Sequence, residues 1–201
     1  RFNKVILYPS DHNRKYSFEK FSRKVLKETW VDGHVIDWTT PNIDWRQAET
    51  DPMLPYSDAE WIWFTEQDFF VKDWDKFYAD VEKAMPNSDL IGLWNLTHFP
   101  YMHPSCFFIR REAFEKTSKD FRAHPEINGC DHFAMLSKEA MDQGMRITKL
   151  QDLGYKATLA PDADCFHLGG LTSNYVEFNE NPDQSTWFTP TVPLFVYNYW
   201  S

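Results

Sequence analysis

The chain has 201 residues, of which 42% are hydrophobic and 17% aromatic, so it is long enough for one well-packed domain and short for two. Its formal net charge of −9 argues against nucleic acid as a partner, because binding to a phosphate backbone depends on lysine and arginine. Three widely spaced cysteines without a Cys-x-x-Cys pair fit a reducing compartment. No apolar run approaches the length of a membrane span, and no signal peptide is visible. We therefore expect a cytoplasmic globular protein.

The first part of the chain predicts a strand, a helix and a second strand. Residues 4–9 and 34–38 are apolar and strand-like, and residues 16–30 carry apolar side chains at helical spacing. This order predicts a right-handed parallel unit and a doubly wound α/β sheet. Ligands bind such sheets at the carboxyl ends of the strands, which is where Asp37 stands.

An acidic pair follows the most apolar stretch of the chain. The aromatic run over residues 59–65 breaks into Glu66 and Asp68, one residue apart, and then turns apolar again. This pattern predicts a buried central strand that delivers two carboxylates to one edge of the sheet, because alternate residues of an extended chain face the same side. Carboxylates suit Mg²⁺ or Mn²⁺. The alternative is a pair of solvated loop acids.

The next elements are predicted from helical and strand periodicity. We expect an amphipathic helix over residues 73–85 with Asp73 as its N-cap, and a strand over residues 90–94. Residues 106–110 predict a strand that runs into a helix starting at Arg111. Between these strands we expect a loop over residues 96–104, whose ring and polar side chains either bind a ligand or pack the loop down; they are His98, Phe99, Tyr101 and His103.

The last elements bring two further polar residues. A helix is predicted over residues 131–144, with Asp131 near its N-terminus and Gly144 at its end. Short strands are predicted over residues 145–150 and 155–159, and a third strand, from residue 164, carries His167 into a glycine turn. Beyond residue 171 the chain is polar and irregular.

Taken together, these motifs resemble the nucleotide-sugar-dependent glycosyltransferases of the GT-A type. In that family an apolar strand ends in an acid, any residue and Asp; here Glu66 stands where Asp is usual. An acidic helix start resembles residues 129–133, with Cys130 where the family commonly has a second acid, and a late His-x-x-Gly resembles residues 167–170. The resemblance spans about residues 4–170. It implies a single domain over residues 1–201 with a mixed, mostly parallel sheet flanked by helices, and an irregular C-terminal segment over residues 171–201.

The resemblance also implies a reaction and a set of roles. The expected activity is metal-dependent, inverting transfer of a hexose from a nucleotide-diphosphate donor to a hydroxyl of a glycan or other acceptor, with UDP-glucose or another UDP-sugar as the first guess. Asp68 and His167 would hold Mn²⁺ or Mg²⁺, with Glu66 directly or through water, and Asp131 would be the general base. Contacts with the nucleotide sugar are implied for Tyr8, Ser10, Arg14, Asp37 and Glu66.

Alternatives remain at several of these positions. The alternative to a general base at Asp131 is a helix cap, the alternative at Asp37 is a turn residue, and the alternative at Arg14 is a solvated charge. His132, next to Asp131, could equally serve acceptor binding. Two other functions fit the same residues: a metal-dependent hydrolase, and a sugar- or nucleotide-binding module without turnover. We also expect further domains in a longer viral or bacterial glycan-building protein, in the host cytoplasm if it is viral.

Overall fold

The computed structural model describes residues 5–10, 59–66, 69–96, 100–120, 126, 133–156 and 164–167. The strands in these ranges are β1 Val5–Ser10, β2 Trp61–Glu66, β3 Phe69–Val71, β4 Leu90–Leu96, β5 Pro100–Arg110, β6 Ile147–Lys149 and β7 Cys165–His167. The α-helices are α1 Trp74–Ala84, α2 Arg111–Glu115 and α3 Ala134–Asp142, and short 3-10 turns cover Met85–Asn87 and Leu150–Leu153.

Five of these strands form one mixed sheet in the order β1-β2-β5-β4-β6. The pairs β1–β2 and β4–β6 are parallel, whereas β5 runs antiparallel to both of its neighbours. Only residues 97–99 separate β4 from β5, which is too short a connection for a parallel crossover. The mixed α/β sheet is confirmed, and its described strand pairs are evenly divided between parallel and antiparallel. The remaining strands, β3 and β7, form an antiparallel pair of their own.

The sheet is buried on both faces, which explains the continuous apolar run that predicted β2. Ile62 and Phe64 pack with residues of α2 and α3 on one face. Trp61 and Trp63 pack with residues of α1 on the other. A strand covered on both faces reads as an unbroken apolar segment rather than as an alternating one. The prediction of a buried central strand over these residues is confirmed.

Helix α1 has the predicted position and the predicted cap. The Asp73 carboxylate accepts a hydrogen bond from the Lys76 backbone N–H at 2.9 Å, a contact that typically stabilises a helix by about 1 kcal/mol. Phe77 and Val81 are fully buried against the sheet. The helix ends in the 3-10 turn that contains Pro86.

Several boundaries differ from prediction. The loop expected over residues 96–104 is wrong from Pro100 onward, since β5 begins there; prolines at a strand start and within an irregular strand are tolerated, and here they resembled loop residues. Helix α3 begins at Ala134, three residues later than expected. The strand expected over residues 145–150 is shortened by a 3-10 turn, and residues 155 and 156 are not in a strand. The predicted helix over residues 16–30, the strand over 34–38 and the segment 171–201 lie outside the described ranges.

Within the described ranges, no helix combines the length and the apolar character that a membrane crossing requires.

Candidate functional site

Two predicted site residues meet where β1 and β2 end. The strands are parallel and in register from Val5 opposite Trp61 to Ser10 opposite Glu66. Tyr8 is two residues earlier, opposite Phe64. Paired residues of neighbouring strands are about 5 Å apart, so Ser10 and Glu66 are neighbours at the carboxyl edge of this parallel pair. This edge is where an α/β sheet binds ligands.

The strand pair β3–β7 brings the segment that follows the acidic motif to the predicted histidine. Phe69 is paired with His167, and Val71 with Cys165. Asp68 immediately precedes Phe69 in the chain and lies outside the described ranges. The backbone therefore places His167 opposite the residue that follows Asp68, although the two positions are almost 100 residues apart in sequence.

A bulge in β5 lies beside the end of β2. Gly92 and Trp94 of β4 are paired with Phe107 and Met102 of β5, so residues 103–106 of β5 stand opposite a single residue of β4. The last pair between β2 and β5 is Thr65 with Cys106. Extra residues in one strand bend it and redirect its side chains, and such bulges are common beside active sites.

Hydrogen bonds hold this bulge at the edge of the sheet. The Thr65 hydroxyl donates to the Ser105 carbonyl oxygen at 2.8 Å. The Met102 N–H donates to the Ser137 hydroxyl of α3 at 2.9 Å, which ties the bulge to that helix. His103 is half-buried, and its Nδ1 lies 2.8 Å from the Ser105 hydroxyl. The sequence predicted a loop around His103; the signals that could have indicated a bulge are Pro104 next to it and Gly92 on the neighbouring strand.

The start of α3 is attached to β2 and β5 by an aromatic residue. The Phe133 ring lies 5.3 Å from the Phe64 ring and 5.2 Å from the Phe107 ring, measured between centroids. Phe133 is the N-cap residue, has a left-handed backbone with φ of 70°, and makes no side-chain capping hydrogen bond. Asp131 precedes it by two residues and lies outside the described ranges. The general-base role therefore stays a prediction, and the described cap of α3 is Phe133.

The predicted metal ligands are compatible with Mn²⁺ or Mg²⁺ by residue type and by strand pairing. Carboxylate oxygens and an imidazole nitrogen are ligands that Mn²⁺ accepts, and the pairing of Phe69 with His167 draws the two segments together. Among the residues whose side chains are described, no group of three or more His, Cys, Asp or Glu is arranged to hold a metal ion. The set formed by Glu66, Asp68 and His167 stays a prediction, as do the roles of Arg14 and Asp37, which lie outside the described ranges.

The described cysteines are neutral thiols within the core. Cys106 and Cys165 are both free and buried. Burial raises the pKa of Cys106 well above its usual value, and burial followed by the charge of Asp164 raises the pKa of Cys165 to about 12. A thiolate is the nucleophilic form of cysteine, so neither residue is a candidate nucleophile.

An open depression of about 650 Å³ lies at the other end of the β3–β7 pair. The Lys72 N–H donates to the Asp164 carbonyl oxygen at 2.9 Å, one step beyond the pair Val71–Cys165 and away from His167. The depression is therefore separate from the edge that carries the predicted site. Its lining residues are Lys72, Asp73, Trp74, Asp75, Lys76 and Asp164.

Comparisons with known proteins agree with this arrangement at the level of the fold. No protein-family model and no curated sequence matches the chain. A solved glycosyltransferase involved in the glycosylation of the major capsid of PBCV-1 is similar in structure, with a TM-score of 0.53 and 11% identity over 89% of this chain and 100% of that one. The fold is that of a GT-A glycosyltransferase. The catalytic domain of Drosophila β1,4-galactosyltransferase 7, solved in complex with xylobiose, is also similar, with a TM-score of 0.50 and 15% identity over 90% of this chain and 81% of that domain.

The GT-A fold confirms the fold that the sequence motifs predicted. In the order of the chain, Glu66 ends β2, the strand β5 and the helix α2 follow, and β7 with His167 pairs with β3.

Proposed function

We propose that this protein is a metal-dependent glycosyltransferase that moves a sugar from a nucleotide-diphosphate donor to a hydroxyl acceptor. The observation that carries the proposal is the pairing of Phe69 with His167, beside the edge where Ser10 meets Glu66. This convergence is what a donor site needs, because base, ribose and diphosphate contacts must come from several strands at once. The similarity in fold to two glycosyltransferases supports the same reaction class.

The residue types assign a role to each segment. Tyr8, Ser10 and Asp37 would bind the base and ribose of a UDP-sugar, and Arg14 would contact a phosphate. Asp68 and His167, with Glu66 directly or through water, would hold Mn²⁺ or Mg²⁺. When bound, the divalent ion supplies Lewis-acid neutralisation of the departing diphosphate. A chain with a formal charge of −9 needs such a cation to accept a diphosphate.

The transfer step requires one proton acceptor from the protein. The acceptor oxygen attacks the anomeric carbon, the bond from that carbon to the diphosphate oxygen breaks, and the acceptor's proton passes to a carboxylate. Asp131 is our candidate for this general base, which gives inversion at the anomeric carbon. A positioned base typically accelerates such a step by about 10²- to 10⁴-fold.

Calorimetric titration with nucleoside diphosphates and nucleotide sugars, with and without Mn²⁺, tests the donor site. We expect one nucleoside diphosphate to bind tightly and only with metal. Asp68→Asn and His167→Gln should each remove the Mn²⁺-dependent part of the affinity, whereas Asp142→Asn, which makes the same charge change at the far end of α3, should leave it unchanged. Failure of every nucleotide to bind in the presence of Mn²⁺ would reject the proposal in favour of a hydrolase or another binding module.

A transfer assay tests the base separately. Asp131→Asn should reduce kcat by about 10²- to 10⁴-fold while nucleotide-sugar affinity stays within about twofold of the wild type. Transfer at the wild-type rate by this variant would show that another group takes the proton, and His132 would then be the next residue to test.

A further inference from the structure

Strand β4 extends beyond the strand that covers its outer side. β6 is the last described strand on this side of the sheet, and its pairing with β4 ends where Gly92 meets Lys149. β4 continues to Leu96, and on its inner side it is paired with β5 up to that residue. Among the described strands, none pairs with β4 on the outer side beyond Gly92. Such an edge presents backbone N–H and C=O groups to other chains, and proteins protect it.

The side chain of Gln151 occupies this part of the edge. The Trp94 N–H donates to Gln151 Oε1 at 3.4 Å, and Gln151 Nε2 donates to the Trp94 carbonyl oxygen at 2.9 Å. One side-chain amide therefore binds both backbone groups of Trp94. In an antiparallel strand pair, a residue that directs its N–H and C=O to one neighbour exchanges both bonds with a single residue of that neighbour. The Gln151 amide thus takes the place of a residue from a further strand.

The 3-10 turn after β6 holds Gln151 in position. Leu150 is fully buried, and its carbonyl oxygen accepts a hydrogen bond from the Tyr155 N–H at 3.1 Å. The Gly154 N–H donates to the Gln151 carbonyl oxygen at 3.0 Å, and Gly154 ends the turn with a left-handed backbone, φ of 88°. The backbone of Gln151 is thus fixed by the turn, so the amide loses little further conformational freedom when it binds Trp94.

The edge of β6 is closed in a similar way. The Asp152 carboxylate accepts a hydrogen bond from the Lys149 N–H at 3.1 Å, so this edge group is already bonded. The Lys149 ammonium lies 5.0 Å from the centre of the Trp94 ring, which places a positive charge beside the same edge. β6 has only three residues. Short edge strands and charged side chains are devices that keep sheet edges from pairing with other chains.

We infer that Gln151 blocks the outer edge of β4 against pairing with the same edge of a second copy of this chain. A second copy is the partner that the geometry fits, because two identical edges related by a twofold axis pair antiparallel. Trp94 directs outward both groups that such a pair exchanges. The Gln151 amide competes for these groups from within the chain, and its removal leaves them to be bonded by another strand. None of these residues belongs to the proposed donor site.

Sedimentation velocity at increasing protein concentration tests this role. A buffer of about 0.15 M salt screens the repulsion between chains of net charge −9. Gln151→Ala should lower the concentration at which the chain dimerises by about tenfold relative to the wild type, as expected for two backbone hydrogen bonds between chains. Gln151→Glu keeps an acceptor for the Trp94 N–H and should give a smaller change. Gln143→Ala is the matched control, because it removes a side-chain amide that donates to Glu139 in α3, away from this edge.

Hydrogen exchange of the Trp94 N–H shows whether the chains pair at this edge. In dilute Gln151→Ala this N–H should exchange faster than in the wild type, and its exchange should slow again as the variant dimerises. Unchanged dimerisation of Gln151→Ala, or an equal increase for Gln143→Ala, overturns the inference. Dimerisation that leaves the Trp94 N–H in fast exchange overturns it too, because the chains then meet elsewhere. If urea unfolding shows that Gln151→Ala does not fold, the same two measurements on Gln151→Glu decide by the same outcomes.

Discussion

Arg110 joins the end of β5 to the turn between α1 and β4, and its replacement should destabilise the protein measurably. Its Nη2 donates to the carbonyl oxygens of Met85 at 2.6 Å and Ser88 at 2.8 Å, and its Nε donates to Ser88 at 3.2 Å. The guanidinium also lies 4.8 Å from the centre of the Trp61 ring. The Asp89 carboxylate is further away, at 3.7 Å. The main partners of Arg110 are therefore the backbone carbonyls at the end of the 3-10 turn.

The magnitude follows from these contacts. Arg110→Met keeps the apolar stem and removes every donor. A hydrogen bond to a charged group contributes about 1.5–3 kcal/mol and a cation–π contact about 0.5–1 kcal/mol. The Arg110 side chain is 25% exposed, so water replaces part of what is lost. We expect the free energy of unfolding to fall by about 2–3 kcal/mol, which corresponds to a fall in Tm of roughly 4–12 °C for a chain of this size.

Arg146→Met is the matched control. Arg146 makes a two-pronged contact with Asp89 at 2.8 and 3.1 Å, yet its side chain is 55% exposed. An ion pair this exposed contributes little to stability, because water screens both charges. Urea unfolding monitored by tryptophan fluorescence should therefore show that Arg110→Met is much less stable than Arg146→Met. The reverse order, or equal losses, would refute the argument that carbonyl capping outweighs the closer ion pair. Arg110→Lys should retain only part of the stability, since an ammonium cannot reproduce the planar fork.

Three further predictions concern the core and the pH dependence of stability. Gly92→Ala should lower the free energy of unfolding by about 1–3 kcal/mol, because the new Cβ would lie 2.5 Å from the Cys106 carbonyl oxygen. An unchanged free energy of unfolding in urea would mean that β4 does not approach the bulge so closely. Burial, followed by the hydrogen bond to Asp80 at 2.9 Å, raises the pKa of Tyr155. The contribution of Tyr155 to the free energy of unfolding is therefore fully present below its unfolded pKa of about 10 and is lost as pH rises through the folded pKa. The stability of Tyr155→Phe should fall less steeply than that of the wild type at alkaline pH. The hydrogen bond from Arg146 lowers the pKa of Asp89 from its usual value of 3.8. The contribution of Asp89 to the free energy of unfolding is therefore present above pH 3.8 and lost as pH falls through the folded pKa. Asp89→Asn should be less stable than the wild type in urea at neutral pH, and a difference in stability that persists in acid would contradict this.

Local signals in the sequence were sufficient for the elements that depend on nearby residues. The apolar run ending at Glu66 predicted β2, because a strand covered on both faces has few polar positions. Asp73 predicted the start of α1, because the cap is a contact with a residue only three positions away. The acidic pair, the acidic helix start and the late histidine, in this order and in their strand and helix context, carried the resemblance that implied the fold.

The sequence did not predict the features that depend on distant pairing. The partner of the acidic segment is β7, almost 100 residues later, and no local pattern specifies that Phe69 is paired with His167. The two prolines in residues 100–104 favoured a loop, whereas the structure uses them at the start and in the bulge of β5. For the same reason the role of His103 stayed open between ligand binding and loop packing, since its place beside β2 depends on the register of β5.

The contact between Phe64 and Phe133 explains how a late helix reaches an early strand at the candidate site. Phe64 is two residues before Glu66, Phe133 is two residues after Asp131, and their rings are 5.3 Å apart. Phe133 keeps a left-handed backbone, which is unfavourable for a bulky residue and persists only where surrounding packing enforces it. The rings of Phe64 and Phe107 are among the packing contacts of Phe133, and strained backbone of this kind is concentrated at functional sites. The core packing between β2, β5 and α3 therefore holds the start of α3 beside the end of β2, where Glu66 stands.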